Sequence, residues 1–285
     1  MPEFYKEKDP FRELIKKSGH NLHLEVAKIL ESKGWQVELS PYYYDEVIER
    51  PREIDIVASK EKSHGVVGSG ETKRYKIFLF IECKYLNKEV VFWEVVFWIA
   101  KPNFEKIRRA ILKIPKGVNF SEDLKIAPLE KLKGIFSFHR YFKAPFIAKL
   151  YATNEKDRKD PREDPIFSSF TNAIHSLISF RDESDISEAG IYYPVVVYEP
   201  GERVRILLPG ETENYKKLTE IGQDILLLEV NYLYKCFTGN YPDFSRRSYT
   251  IQRQLFFVDF VEKNNLNRFL DELEDEDNNI YKLLI

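Results

Sequence analysis

The sequence predicts an α/β protein, a sheet flanked by helices, and three observations carry that expectation. Apolar runs of strand-forming residues recur along the chain, at Arg52–Ala58, Tyr75–Tyr85 and Leu255–Val261 among others. Helical periodicity appears before and between them. The run YYPVVVY at Tyr192–Tyr198 is apolar without alternation, which suits a strand covered on both faces.

Taken in order, Pro10 to Lys33 reads as one or two helices, with Leu22, Val26, Ile29 and Leu30 at helical spacing and Gly34 as the stop just past the end. Glu25 falls at the border of that stripe, about 60° from Leu22. Trp35–Leu39 reads as a strand, and Pro41 with Tyr42, Tyr43 and Tyr44 as an aromatic connection. Arg52–Ala58 is expected as one continuous strand, with Asp55 at its middle between Ile54 and Ile56. Aspartate is disfavoured inside strands, so Asp55 needs a reason to be there. Lys60–Arg74, with Gly65, Gly68 and Gly70, reads as a hairpin loop.

Beyond Tyr85 the pattern loosens. Val90–Ala100 fits helix or strand, Asn103–Lys113 is expected as a basic helix, and Leu129–Leu150 mixes Lys and Arg with aromatics. Phe167–Phe180 reads as a helix with Phe170, Ala173, Ile174, Leu177 and Ile178 on one face. Strands follow at Tyr192–Tyr198, Val204–Leu208, Ile225–Tyr234 and Leu255–Val261, then a helix from Asn265 to Glu274.

Composition bounds the function. The chain has 285 residues, 43% hydrophobic and 32% charged, with 21 Phe and 17 Tyr, which is a globular composition with a sizeable core. The start of the chain is charged with no apolar stretch of signal type, and no apolar run is long enough to span a membrane, so the expectation is a cytoplasmic protein. Cys83 and Cys236, the two cysteines, belong to no zinc-spaced cluster and read as buried thiols. A net charge of −2 argues against a nonspecific nucleic-acid binder, yet Lys101–Leu150 carries 12 Lys and Arg against 4 Asp and Glu. Basic residues interleaved with aromatics suit a nucleic-acid groove, and Lys101, Lys106, Arg108, Arg109 and Lys113 are its candidate contacts.

The chemistry concentrates at YKIFLFIECKY, Tyr75–Tyr85. Glu82 and Lys84 share one face of this strand while Ile81 and Cys83 take the other. Burying a carboxylate and an ammonium there is costly unless each finds a partner or a metal. Other acid-x-Lys triplets occur, such as Glu31/Lys33 and Asp123/Lys125, but only Glu82/Lys84 caps a long apolar strand. Only it follows a strand carrying Asp55 and a helix carrying Glu25.

That order, helix with Glu25, strand, strand with Asp55, strand with Glu82 and Lys84, closely resembles the PD-(D/E)xK nuclease superfamily, the restriction-endonuclease-like fold. The spacing is most similar to Mrr-type restriction enzymes and archaeal Holliday-junction resolvases, with Gly19 before the helical acid and Gly34 ending the helix. Ile54 stands where the superfamily name has proline, and no glutamine follows soon after Lys84. The resemblance implies a mixed central sheet flanked by helices, with Phe167–Phe180 and Tyr192–Tyr198 as the next core helix and strand. It makes 1–285 one nuclease-like domain, with core 10–85 and 167–261, a basic aromatic insertion 86–166 after the third core strand, and extra C-terminal strands.

The resemblance further implies a metal-dependent endonuclease acting on nucleic acid, most readily DNA, with Glu25, Asp55, Glu82 and Lys84 as catalytic residues. Asp55, Glu82 and the backbone carbonyl of Cys83 would hold Mg²⁺ or Mn²⁺, hard ions that prefer oxygen ligands. Lys84 would orient or deprotonate the attacking water, and Glu25 would hold a metal-bound water or a second ion. Two other readings stand beside this one. The same fold could bind nucleic acid or a protein without cutting, or Asp55, Glu82 and Lys84 could form a structural ion pair in an unrelated α+β protein. A homodimer is compatible with the sequence and is not implied by it.

Overall fold

The computed structural model describes residues 20–45, 49–65, 72–94, 112–113, 139–143, 147–153, 164–183, 189–208, 210–221, 225–237 and 249–280. They form a large mixed sheet with helices on both faces. The first elements are α1 (His20–Ser32), β1 (Gln36–Leu39), β2 (Tyr42–Asp45), β3 (Arg50–Glu53), β4 (Ile56–Gly65), β5 (Thr72–Tyr85) and β6 (Val90–Glu94). There follow β7 (Leu112–Lys113), α2 (Arg140–Lys143), β8 (Ile147–Thr153), α3 (Pro165–Glu183), β9 (Ala189–Glu199), β10 (Val204–Leu207) and β11 (Tyr215–Lys216). The chain continues through β12 (Ile225–Phe237) and β13 (Tyr249–Glu262) to α4 (Leu266–Ile280).

The strand order is β1-β4-β5-β9-β13-β12-β8-β6-β10-β11, with β7 also against β9. β4 runs antiparallel to both its neighbours, β1 and β5, whereas β9 lies parallel to β5 from Tyr75↔Ala189 to Tyr85↔Glu199. A parallel neighbour needs a crossover, and α3 supplies it. Asp164 starts this helix: its carboxylate accepts the Ile166 amide at 2.8 Å and also takes the Tyr151 hydroxyl of β8 at 2.8 Å, with Pro165 at the first helical position. The described part of the 86–166 segment joins the same sheet, β8 pairing with β12 and β6 with β8.

The core is a layer on each side of the sheet. α1 buries Leu22, Val26, Ala27 and Leu30, and each of the leucine and valine side chains contributes about 1.5–3 kcal/mol. Gly34 ends α1 in the left-handed region, φ 78°, and the Trp35 amide reaches back to the Leu30 carbonyl at 3.1 Å. α4 joins α1 on that face, tied by Lys33 to Asp271 and by Lys60 and Lys62 to Glu274. α3 covers the other face, where Phe80 meets Phe180 and stacks on Tyr192.

Three expectations change, and one left open between helix and strand is decided. Arg52–Ala58 is not one strand: β3 ends at Glu53, Asp55 sits in a bend, and β4 starts at Ile56. β3 pairs with β2 in a separate two-stranded ribbon, and across the bend Ser40 donates to the Asp55 carbonyl and Ile54 to the Pro41 carbonyl, which carries the β1–β4 register through to it. The hairpin arms run to Gly65 and from Thr72, so much of the glycine-bearing loop is strand. At the end of Asn103–Lys113 the structure places a strand, Leu112–Lys113, and the rest of that segment lies outside the described residues. Val90–Glu94 resolves as strand through its parallel pairing with β10.

Candidate active site at the end of the third core strand

The site forms where the β3–β4 corner meets the last residues of β5. Ile56 pairs with Ile81, so Asp55, one residue earlier, stands beside Glu82. The Asp55 carboxylate accepts the Cys83 amide at 2.7 Å, which fixes it over the strand end. At this bend the Asp55 carbonyl still accepts the Ser40 amide at 2.8 Å, while the Asp55 carboxylate reaches across to the backbone of β5.

Glu82 is buried on the α3 face, where the Asn172 amide of α3 hydrogen-bonds its carboxylate. Burial pushes the Glu82 carboxyl well above the usual carboxylate range, and the Asp55 charge pushes it further, against smaller pulls from Asn172, Lys84 and Arg52. Asp55 is raised too, by burial, with His23, the Cys83 amide and Lys84 pulling the other way. Two carboxylates of like charge therefore face one another in a shielded place. Lys84 is half-buried and makes no hydrogen bond or ion pair among the described residues.

Around this pair lies a wider polar set between α3 and the β2–β3 ribbon. His175 of α3 bonds the buried Asp45 of β2, which Arg52 of β3 also approaches at 3.5 Å. The Tyr43 hydroxyl, Asn172 Oδ1 and His175 Nε2 are buried without a hydrogen-bond partner among the described residues.

The structure brings Asp55, Glu82 and Lys84 together. It does not bring Glu25 with them: Glu25 is exposed and its carboxylate pairs with Lys263 at 2.5 Å, Lys263 in turn bridging to Glu199 at 2.6 Å. The α1 residue that faces the site is His23, whose Nε2 lies 3.4 Å from Asp55 Oδ2. Lys101, Lys106, Arg108 and Arg109 lie outside the described residues, and Lys113 falls in β7 beside β9. Tyr141, one of the aromatics read as interleaved with basic residues, is fully buried core.

Sequence reading also missed Asp259, an aspartate in the middle of β13. It is wholly buried in β13, 3.1 Å from the Arg140 guanidinium, and burial pushes its carboxyl up to about 6 against the pull of Arg140 and Tyr141. The signal was present in FFVDFV, an aspartate inside an apolar strand.

No protein-family model matches the chain, and no curated protein and no solved structure matches it. Among the described residues no helix is long and apolar enough to cross a membrane.

Proposed function

We propose that this chain is a metal-dependent endonuclease of the PD-(D/E)xK type, hydrolysing phosphodiester bonds, most readily of DNA. One observation carries the reading: Asp55 is held at 2.7 Å from the backbone of the Glu82-Cys83-Lys84 triplet, so the separated acid and the acid-x-Lys motif occupy one place. The order α1, antiparallel β1-β4-β5, crossover α3 and parallel β9 supports it, because it is the arrangement that the resemblance calls for.

The donor set fits a hard divalent ion. A buried carboxylate, Glu82, beside the half-buried Asp55 is costly alone, and Mg²⁺ or Mn²⁺ would relieve it, held by Asp55, Glu82 and the Cys83 carbonyl. Such an ion, when bound, neutralises phosphate charge and makes water a better nucleophile. The chain's own residues do the rest. Asn172 orients the Glu82 carboxylate by donating to it. Lys84, on the same strand face as Glu82 and with no hydrogen bond or ion pair of its side chain among the described residues, positions the attacking water and stabilises the charge that develops on the phosphate oxygens. Tyr42 and Tyr44, 72% and 48% exposed on one face of β2, offer flat surfaces for bases beside the site.

The test is a cleavage panel of plasmid, linear, branched and single-stranded DNA together with RNA, in Mg²⁺ or Mn²⁺. Cleavage of at least one substrate, lost in Asp55→Asn with the fold intact by circular dichroism, is the expected result. Undiminished cleavage by Asp55→Asn would overturn the assignment.

A further inference from the structure

We infer a second metal site on the opposite face of β5: His23, Asp55 and the Cys83 thiol form a site for a zinc-class divalent ion that competes with the hard ion for Asp55. The competition for Asp55 rests on the nuclease reading; the site itself does not.

The three donors come from three elements, α1, the β3–β4 corner and β5, and their ligand atoms all lie within 4.8 Å of one another. They are shielded from solvent, His23 and Asp55 being 15% and 21% exposed and Cys83 buried. A zinc-class ion binds nitrogen, oxygen and sulfur at about 2.0–2.3 Å, so tetrahedral donors stand roughly 3.5 Å apart. Small side-chain rotations close the remaining gap. The backbone already holds the key member, since the Cys83 amide fixes the Asp55 carboxylate beside its own side chain at 2.7 Å. With three protein ligands, the fourth position is open to water.

The ligand types separate the two faces. Glu82, Asp55 and a carbonyl are an all-oxygen set for a hard ion, whereas the thiol and imidazole select softer ions that magnesium does not replace. Alternation of β5 puts Cys83 on the α1 face and Glu82 on the α3 face, so one carboxylate, Asp55, serves both. An ion on the thiol side takes the Cys83 sulfur as thiolate, releases its proton to solvent, and draws Asp55 away from Glu82.

Cobalt(II) titration of the full chain with a non-thiol reductant tests the site. The native protein is expected to bind one ion, with a thiolate-to-cobalt charge-transfer band and tetrahedral visible bands. Cys83→Ser loses the charge-transfer band, and Glu82→Gln keeps it. His23→Gln weakens affinity by more than the roughly 10–100-fold seen when a partner outside the coordination sphere is removed. No charge-transfer band in the native chain, or an undiminished one in Cys83→Ser, overturns the site. In the cleavage assay, Zn²⁺ suppresses the Mg²⁺-dependent reaction of the native chain and does so less in His23→Gln; equal suppression overturns the competition. A cobalt band without cleavage refutes the nuclease reading and supports the site, and cleavage without a band does the reverse.

Discussion

Glu82→Gln is expected to stabilise the metal-free protein while abolishing its response to Mg²⁺. At an effective dielectric near 20, two unit charges about 4 Å apart repel by roughly 4 kcal/mol. Lys84 and Arg52 offset part of that repulsion at Glu82, and protonation relieves more. We therefore take about 1–2 kcal/mol as the net gain on substitution, the scale typical of a relieved surface or site charge. Glutamine is the right probe because its carbonyl oxygen can still accept from Asn172 while its amide can face Asp55. The sign with pH follows from linkage. The folded Glu82 carboxyl is held above its ordinary value of 4.5, so the folded chain keeps a proton that the unfolded chain releases, and native stability falls as pH rises through that window. The gain from Glu82→Gln is accordingly small at acid pH, below 4.5, and grows as pH rises above it. Thermal melts in chelator across this range read it, each kcal/mol moving the midpoint by roughly 2–4 °C. Added Mg²⁺ raises the midpoint of the native chain and leaves Glu82→Gln where it was. A variant less stable than the native chain at alkaline pH in chelator would refute the claim that two carboxylates oppose one another there.

Arg140→Met strips the buried Asp259 of its cation and should cost about 3–5 kcal/mol in denaturant unfolding; a loss under 1 kcal/mol would show that the pair is not desolvated. The double variant Tyr42→Ala/Tyr44→Ala should weaken nucleic-acid binding by about 1–3 kcal/mol for each base that stacks, with an unchanged melting midpoint. Fluorescence anisotropy showing native affinity would remove the β2–β3 ribbon from the interface.

Much of this fold could be read from residue patterns. Phe167–Phe180 carried a five-residue apolar face, and its burial against β5 and β9 makes it α3, while YYPVVVY became the fully buried β9 because both its faces are covered. Asp55 misled in one respect. Its flanking isoleucines imitate an alternating strand, yet both are wholly buried and the chain bends between them while staying paired with Ser40 and Pro41, which no local pattern carries. The helical acid misled in another. Judged by Leu22, Val26, Ile29 and Leu30, the stripe lies about equally far from Glu25 and His23; counting the small, buried Ala27 swings it toward His23, at about 100° per residue. Alanine is a weak hydrophobic marker, so the residue that decides the helix's orientation was the least conspicuous. The ion pair of Glu25 with Lys263 spans 238 residues of sequence, beyond the reach of any spacing rule.

The most direct test of the central claim is a single-turnover comparison of the native chain and Lys84→Ala on whichever nucleic acid the native chain cuts, with binding measured alongside. The Lys84 side chain makes no hydrogen bond or ion pair among the described residues, so the variant should fold and bind as the native chain does. Cleavage should fall by about 10²–10⁴-fold, the contribution of a positioned proton-transfer group. A Lys84→Ala chain that cuts at the native rate would contradict the account.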